Sequence, residues 1–350
     1  MSNPFSLAKS LGSYLVKQDF KHMILHVTNL CNFRCEHCFV EFDNANKKDL
    51  PLSHYKTLGS EMGQLFWLDI GGGEPFLRKD LHEIISSFDS QVVHIPTNGM
   101  LSERIYNTCL NIKKVINNEL IIGISVDGLK DTHNKIRKNP KSWDNLWKTF
   151  DLLKNIDGVS VKICTVITTS NINEIIPLMN FVYDKGVDFH SVILLRGDTI
   201  DDHVELPTMN ELKSLAPEMF KILKKYSYGK SKISASILKN FHKFLWKTSL
   251  DTIEKDTQII PCLAGKAHIV AWGDGNVSSC EMLPPVGSLK FQTMKEITSS
   301  KVFKKQVKFI EDKKCACTHN CAMLASTFFN PYNLPKLLWQ NEPKYDFKNR

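Results

Sequence analysis

From residue 22 to about 195 the chain alternates short β-like runs with helical stretches, and this rhythm limits the possible folds more than any other feature. The strand candidates are MILHVT (23–28), LFWLDI (65–70), VVHIPT (92–97), LIIGISV (120–126), VSVKICTVI (159–167) and HSVILL (190–195). Segments with helical spacing lie between them, among them 102–116, 144–156 and 172–186. Repeated β–α units build a parallel sheet with right-handed crossovers. Six such units are too few for an eight-fold barrel, so an α/β fold with an open, partial (β/α)6 barrel is expected. Ligands should then bind at the C-terminal ends of the strands.

The unusual residues fall at those ends. Cys31, Cys35 and Cys38 follow the first strand, and Gly71-Gly72-Gly73-Glu74-Pro75 follows the second. Thr97-Asn98-Gly99 follows the third, Ser125-Val126-Asp127-Gly128 the fourth, and Arg196-Gly197 the sixth. Of ten cysteines, eight fall into two groups: this loop, and Cys262, Cys280, Cys315, Cys317 and Cys321. In a reducing compartment, clustered cysteines point to metal rather than to disulfides. Cys109 and Cys164 stand apart and read as core residues.

Three thiolates in one short loop suit an iron–sulfur cluster, and three ligands on four irons leave one iron open to a small molecule. A structural zinc site would want four closed ligands; His37 could serve as a fourth, but the usual paired spacing is absent. Cys-x3-Cys-x2-Cys after a first strand, with His37 before the last cysteine, resembles the signature of the radical S-adenosylmethionine (radical SAM) enzymes. The resemblance implies a [4Fe–4S] cluster on Cys31, Cys35 and Cys38. It also implies that this cluster passes an electron to SAM, giving methionine and a 5′-deoxyadenosyl radical that abstracts hydrogen from a substrate.

The glycine turn resembles that family's Gly-Gly-Glu-Pro motif, which implies that Gly72, Gly73 and Glu74 receive the SAM amino group. By the same resemblance Ser125 contacts the SAM ribose or carboxylate, Arg137 pairs with the carboxylate, and Asn98 shapes the pocket. An arginine fork matches a carboxylate well. Read without the family, Gly71–Gly73 and Asn98-Gly99 are plain turns and Arg137 is surface charge.

Cys262, twelve residues, Gly275, four residues and Cys280 surround an expected β-hairpin at Gly273-Asp274-Gly275. This stretch resembles the SPASM and twitch modules, which carry auxiliary iron–sulfur clusters. A helix over 294–310 and the loop CACTHNC would complete it. Five cysteines suffice for one auxiliary [4Fe–4S] cluster and not for two. Cys262 and Cys280 with two of Cys315, Cys317 and Cys321 are the expected ligands, and the spare one is not identified. A zinc ribbon is the competing reading.

The resulting organisation is an N-terminal extension (1–21), the partial barrel (22–208), a basic helical linker (209–258), the auxiliary-cluster module (259–322) and an irregular, proline-bearing tail (323–350). Apolar residues make up 42% and charged residues 23%, ordinary for a globular protein. No run spans a bilayer and the N-terminus lacks a signal-peptide pattern, so a cytoplasmic location is expected. Only about twenty residues precede the first strand, which speaks against recognition of a leader peptide by this chain itself.

The net charge is +8, and eight lysines (221, 224, 225, 230, 232, 239, 243 and 247) with no acid lie between Glu218 and Asp251. With Ile233, Ile237, Leu238, Phe241, Phe244, Leu245 and Trp246 they read either as a packed linker helix or as a basic surface for an anionic or membrane-associated substrate. No nucleic-acid partner is expected, and the resemblance implies an electron donor such as flavodoxin or ferredoxin. The reading is an oxidoreductase-type radical SAM enzyme whose substrate is a small molecule, a lipid or sugar intermediate, or a peptide. A methyltransferase or carbon–carbon bond former, and a non-catalytic metal protein, are the alternatives. The sequence names no substrate-side catalytic residue.

Overall fold

The structure, a computed structural model, describes residues 4–39, 48–228, 231–343 and 345; Lys230 and parts of both termini lie outside them. A nine-stranded sheet in the order β6-β5-β4-β3-β2-β1-β7-β8-β9 runs through it. The strands β1 (His22–His26), β2 (Leu65–Gly71), β3 (Ser90–Thr97), β4 (Glu119–Ser125), β5 (Val159–Ile167) and β6 (Phe189–Leu194) are all parallel. Their runs are apolar because helices cover one face while the other is turned inward.

The covering helices are α2 (Leu52–Met62), α3 (Leu81–Ser86), α4 (Ser102–Val115), α5 (Lys130–Ile136), α6 (Ser142–Leu153) and α7 (Ile175–Asp184), with α1 (Pro4–Lys17) ahead of the first strand. Leu58, Ile84, Ile105, Leu146 and Leu178 bury their side chains against the outer face in one continuous core. Each fully buried side chain of this kind contributes about 1.5–3 kcal/mol. Cys109, in α4, is part of this core.

The cysteine-rich segment joins the same sheet. β7 (His268–Ala271) lies parallel to β1, with His22 opposite His268, and turns back into β8 (Asn276–Ser278) and then β9 (Gly287–Ser288). The hairpin turn spans Trp272 to Asn276, where the sequence places it. The single helix expected over 294–310 is two, α10 (Met294–Ser299) and α11 (Lys301–Glu311). Ser300 ends the first and caps the second, its hydroxyl accepting from Phe303 N at 3.1 Å.

Two observations concern the chain's second half. The basic stretch forms α8 (Met209–Leu223) and α9 (Lys232–Lys255). Ile237, Phe241, Phe244, Leu245 and Trp246 on α9 are buried, so its apolar face packs inward, and only Ile233 is left outside. Several lysines are also engaged: Lys224 pairs with Glu342 and Lys247 with Asp251, while Lys239 and Lys243 donate to the carbonyls of Lys224 and Gln340.

The tail is not irregular: α12 (Asn320–Phe328), a short turn at Pro331–Asn333 and α13 (Leu334–Leu338) fill much of it. Pro331 and Pro335 stand at the start of helical turns, where a missing N–H removes no bond. Phe328, Phe329 and Leu337 pack with Leu7 and Leu11 of α1 and with Phe66, Trp67, Phe241 and Leu245 into a second core at the starts of the strands. No helix among the described residues is long and apolar enough to cross a membrane.

Candidate active site

The inner face of all six parallel strands lines one cavity of about 360 Å³. α9 and α12 contribute Leu238, Phe241, His242 and Leu245, and Cys321, Leu324 and Phe328, to its wall. Cys31, Cys35 and Cys38 stand at the strands' C-terminal ends, on the same cavity as Gly72, Gly73, Glu74, Asn98, Ser125 and Arg137.

The cysteine loop is pinned on three sides. Glu36 N donates to Ile136 O at 3.0 Å, Ile200 N to Cys38 O at 2.9 Å, and Glu74 N to Leu30 O at 2.8 Å. The last of these requires the glycines: a Cβ on Gly73 would lie 2.2 Å from Leu30 O and 2.9 Å from Cys31 Cβ, and Gly72 has φ +128°. Burial pushes the Cys31 thiol up to about 12, and Glu74, Cys35 and Cys38 push the same way. A thiol binds metal only after losing its proton, so a bound cation would offset the cost of ionising Cys31.

Glu74 is a strut as well as a cavity residue. It is buried, and it accepts Thr97 Oγ1 at 2.9 Å, Asn98 N at 2.8 Å and Phe76 N at 3.3 Å. Burial nonetheless outweighs these bonds and raises its pKa to about 7. Asn98 Nδ2 reaches Asn32 Oδ1 at 2.8 Å and so ties the third strand's loop to the cysteine loop. Arg137, at the end of α5, is not surface charge. It is buried, pairs with Asp127, and donates to Cys35 Sγ at 3.5 Å. His133 accepts from Asp127 N at 3.1 Å and bonds Ser142 Oγ at 2.8 Å, a purely internal role.

The second cysteine group divides. Cys262, Cys280 and Cys315 share a small apolar cluster with Ala264, Ile310 and Ala322. Gln258 links the two loops, donating to Cys315 O at 3.0 Å and accepting from Cys262 N at 3.4 Å. Burial raises the thiols of Cys262 and Cys280, and Cys317 acts electrostatically on both, as it does on Cys315. Cys321 lies elsewhere: it lines the cavity, and its thiol sits within 4.8 Å of the ligand atoms of Glu281 and His319.

Several polar cavity residues went unnoticed in the sequence. Glu281 is buried between His26, whose Nε2 lies 2.8 Å away, and His319. His26 in turn stacks on Trp272 with ring centroids 4.4 Å apart. Asp69, His94 and Lys162 point inward from β2, β3 and β5. Cys164, expected in the core, lines the cavity too, because β5 alternates and Lys162, Cys164 and Val166 share its inner face. A charged residue inside an otherwise apolar parallel strand is the signal that finds such positions.

The profile of the Radical SAM superfamily matches residues 25–182. Residues 25–182 are thus similar to a radical SAM domain, and the chain's homologues in that superfamily are iron–sulfur enzymes. Over 213 residues it is 29% identical to an uncharacterized protein of Methanocaldococcus jannaschii, covering 56% of this chain and 70% of that one. Over 170 residues it is 25% identical to the antilisterial bacteriocin subtilosin biosynthesis protein AlbA of Bacillus subtilis; the match covers 47% of this chain but only 37% of AlbA. Native anSMEcpe with bound AdoMet shares the fold, with a TM-score of 0.60 at 16% identity over 91% of this chain and 98% of that one.

Proposed function

We propose that this protein binds a [4Fe–4S] cluster on Cys31, Cys35 and Cys38 and SAM beside it, and abstracts a hydrogen atom from a substrate held in the cavity. The observation that carries the proposal is convergence: the thiol loop after β1 and the glycine–glutamate turn after β2 are hydrogen-bonded together at the mouth of a cavity lined by all six strands. When bound, the cluster and SAM together supply an organic radical. The chain's own residues bind, orient and shield. Glu74 offers a carboxylate to the SAM ammonium, and Gly72 and Gly73 let it approach. Asn98 and Ser125 flank the pocket. Arg137, anchored by Asp127 and 3.5 Å from Cys35 Sγ, is the cation offered to a SAM carboxylate.

Within the same reading, Cys262, Cys280, Cys315 and Cys317 hold one auxiliary cluster that assists electron transfer or substrate positioning, and Cys321 is the spare thiol. Among the described residues, neither cysteine set brings three thiols within 4.8 Å of one another. An external donor such as flavodoxin or ferredoxin supplies the electron. The substrate is a small molecule, a lipid or sugar intermediate, or a peptide. The outward lysines of α8 and α9 are the surface through which an anionic partner or membrane would be met.

The test is anaerobic incubation of the reconstituted protein with SAM and dithionite. Release of 5′-deoxyadenosine is expected. Its absence from protein that carries iron and sulfide would leave a non-catalytic metal protein, and a methylated product would reassign the reaction.

A further inference from the structure

Asp69 is a buried carboxylate on the inner face of β2 with three donors. Trp67 Nε1 reaches Oδ1 at 3.0 Å, His94 Nδ1 reaches Oδ1 at 2.6 Å, and His22 Nε2 reaches Oδ2 at 2.8 Å. Burial pushes its pKa up, but the hydrogen bonds from His22 and His94 outweigh this and hold Asp69 well below the usual carboxylate range. An ionised Asp69 can only accept, so the proton between it and His94 sits on His94 Nδ1. Burial, and then the Lys162 cation, push His94 toward its neutral form. In a neutral ring protonated at Nδ1, Nε2 carries a bare lone pair.

That Nε2 is buried and has no hydrogen-bond partner among the described residues, while the ring lines the cavity. The space in front of it exists because residue 123 is glycine. A Cβ there would lie 2.6 Å from His94 Nε2, 3.1 Å from Lys162 Cε and 3.2 Å from Cys164 Sγ. Side chains from β3 and β5 thus converge over the one residue of β4 that has none. Lys162 makes no hydrogen bond or ion pair with any described residue; its ammonium lies 5.8 Å from the centre of the Phe189 ring. A desolvated acceptor and an unpaired cation facing one small space are a costly arrangement unless a ligand satisfies both.

We propose that His94 takes a proton from a substrate hydroxyl at this point, with Asp69 as its positioning residue and Lys162 holding the oxyanion that results. The proposal rests on the radical SAM reading above and names the substrate class as a hydroxyl-bearing molecule. In the step the substrate O–H bond breaks and its electron pair stays on oxygen. The proton forms the new N–H bond on His94 Nε2. No electron enters or leaves. The imidazolium is stabilised by Asp69 and the alkoxide by Lys162. Deprotonation weakens the adjacent C–H bond, the bond a hydrogen-abstracting enzyme has to break.

The test reads the ring nitrogens directly, in ¹⁵N-histidine-labelled protein with both clusters loaded and oxidised. His94 is assigned with His94→Gln, and the other histidine signals report whether each variant is folded. At pH 7 His94 should show a protonated Nδ1 and a pyridine-type Nε2, and Asp69→Asn should abolish that preference while Asp69→Glu retains it. Inorganic phosphate, an anion with an O–H, should move the Nε2 signal; sulfate, which has no O–H at this pH, should not. Lys162→Met should weaken the phosphate effect by about tenfold, as expected for losing one charge-assisted contact. A protonated Nε2, or an equal response to phosphate and sulfate, overturns the proposal. Neither readout needs SAM cleavage, so failure here leaves the radical SAM reading intact. Absent SAM cleavage with an intact His94 tautomer would instead remove that reading alone.

Discussion

Thr97 Oγ1 donates to Glu74 Oε1 at 2.9 Å, and this contact joins the turn after β2 to the end of β3. With Asn98 N on the other oxygen at 2.8 Å, it makes the glycine–glutamate turn part of the sheet rather than a loop free to drift. Glu74→Gln keeps an acceptor for Thr97 but turns an amide NH2 toward Asn98 N, leaving one buried donor unmatched at about 1–3 kcal/mol. SAM affinity should fall in this variant while both clusters are retained, as measured by equilibrium binding and iron content.

Removing the loop thiols tests the cluster assignment. Cys31, Cys35 and Cys38 changed together to Ala should remove about half of roughly eight irons, the content of two four-iron clusters, and all 5′-deoxyadenosine formation. Full SAM cleavage by that variant would refute the assignment.

The two downstream thiols separate by position. Cys317 acts on Cys262, Cys280 and Cys315, whereas Cys321 faces the cavity. Cys317→Ser should cost about four irons by analysis, and Cys321→Ser should cost none. The reverse pattern would make Cys321 the auxiliary ligand.

Gly73→Ala tests how closely the two loops must approach. Its Cβ would enter the space of Leu30 O, so the cysteine loop has to move. Reconstituted iron at the first site should drop several-fold, with the thermal transition little changed because the displacement is local. An unaltered cluster spectrum would show that the loop has slack.

Acid should destabilise the fold. Burial lowers His133 and His190 to about 3 and His242 to about 4. Lowered histidine pKa values mean that the unfolded chain binds protons first. Stability is therefore complete above about pH 6.5, the ordinary value, and is lost as pH falls toward the folded values. At pH 5 each histidine removes up to about 2 kcal/mol. Asp69, held low, acts in the same direction at lower pH. Glu74 opposes: its raised pKa makes stability fall as pH rises from about 4.5 to about 7. Chemical denaturation midpoints should decline from pH 7 to pH 5, three histidines outweighing one glutamate.

The strands, the helices between them and the two cysteine groups were legible because periodicity and spacing are local. What the sequence hid was the inner face. Nothing local assigns a role to Asp69 in LFWLDI or His94 in VVHIPT, since the partner that explains each lies a strand away. Cys164 looked like core for the same reason. The tail misled through its prolines, which break helices in the middle but open them at the first turn. For α9 the sequence left a packed linker helix and a basic surface both open, and the burial of Ile237, Phe241, Phe244, Leu245 and Trp246 shows the packing.

The pairing of β1 with β7 has a consequence for the order of events during synthesis. His22 and His268 touch across a separation of 246 residues. As the chain leaves the ribosome, β1 emerges early and pairs with β2, but its other edge stays open until residue 268 has been made. Unpaired edges of apolar strands invite association with other chains. The stretch that finally covers this edge lies between Cys262 and Cys280, so the open edge of β1 closes only as the downstream cysteine group begins to emerge.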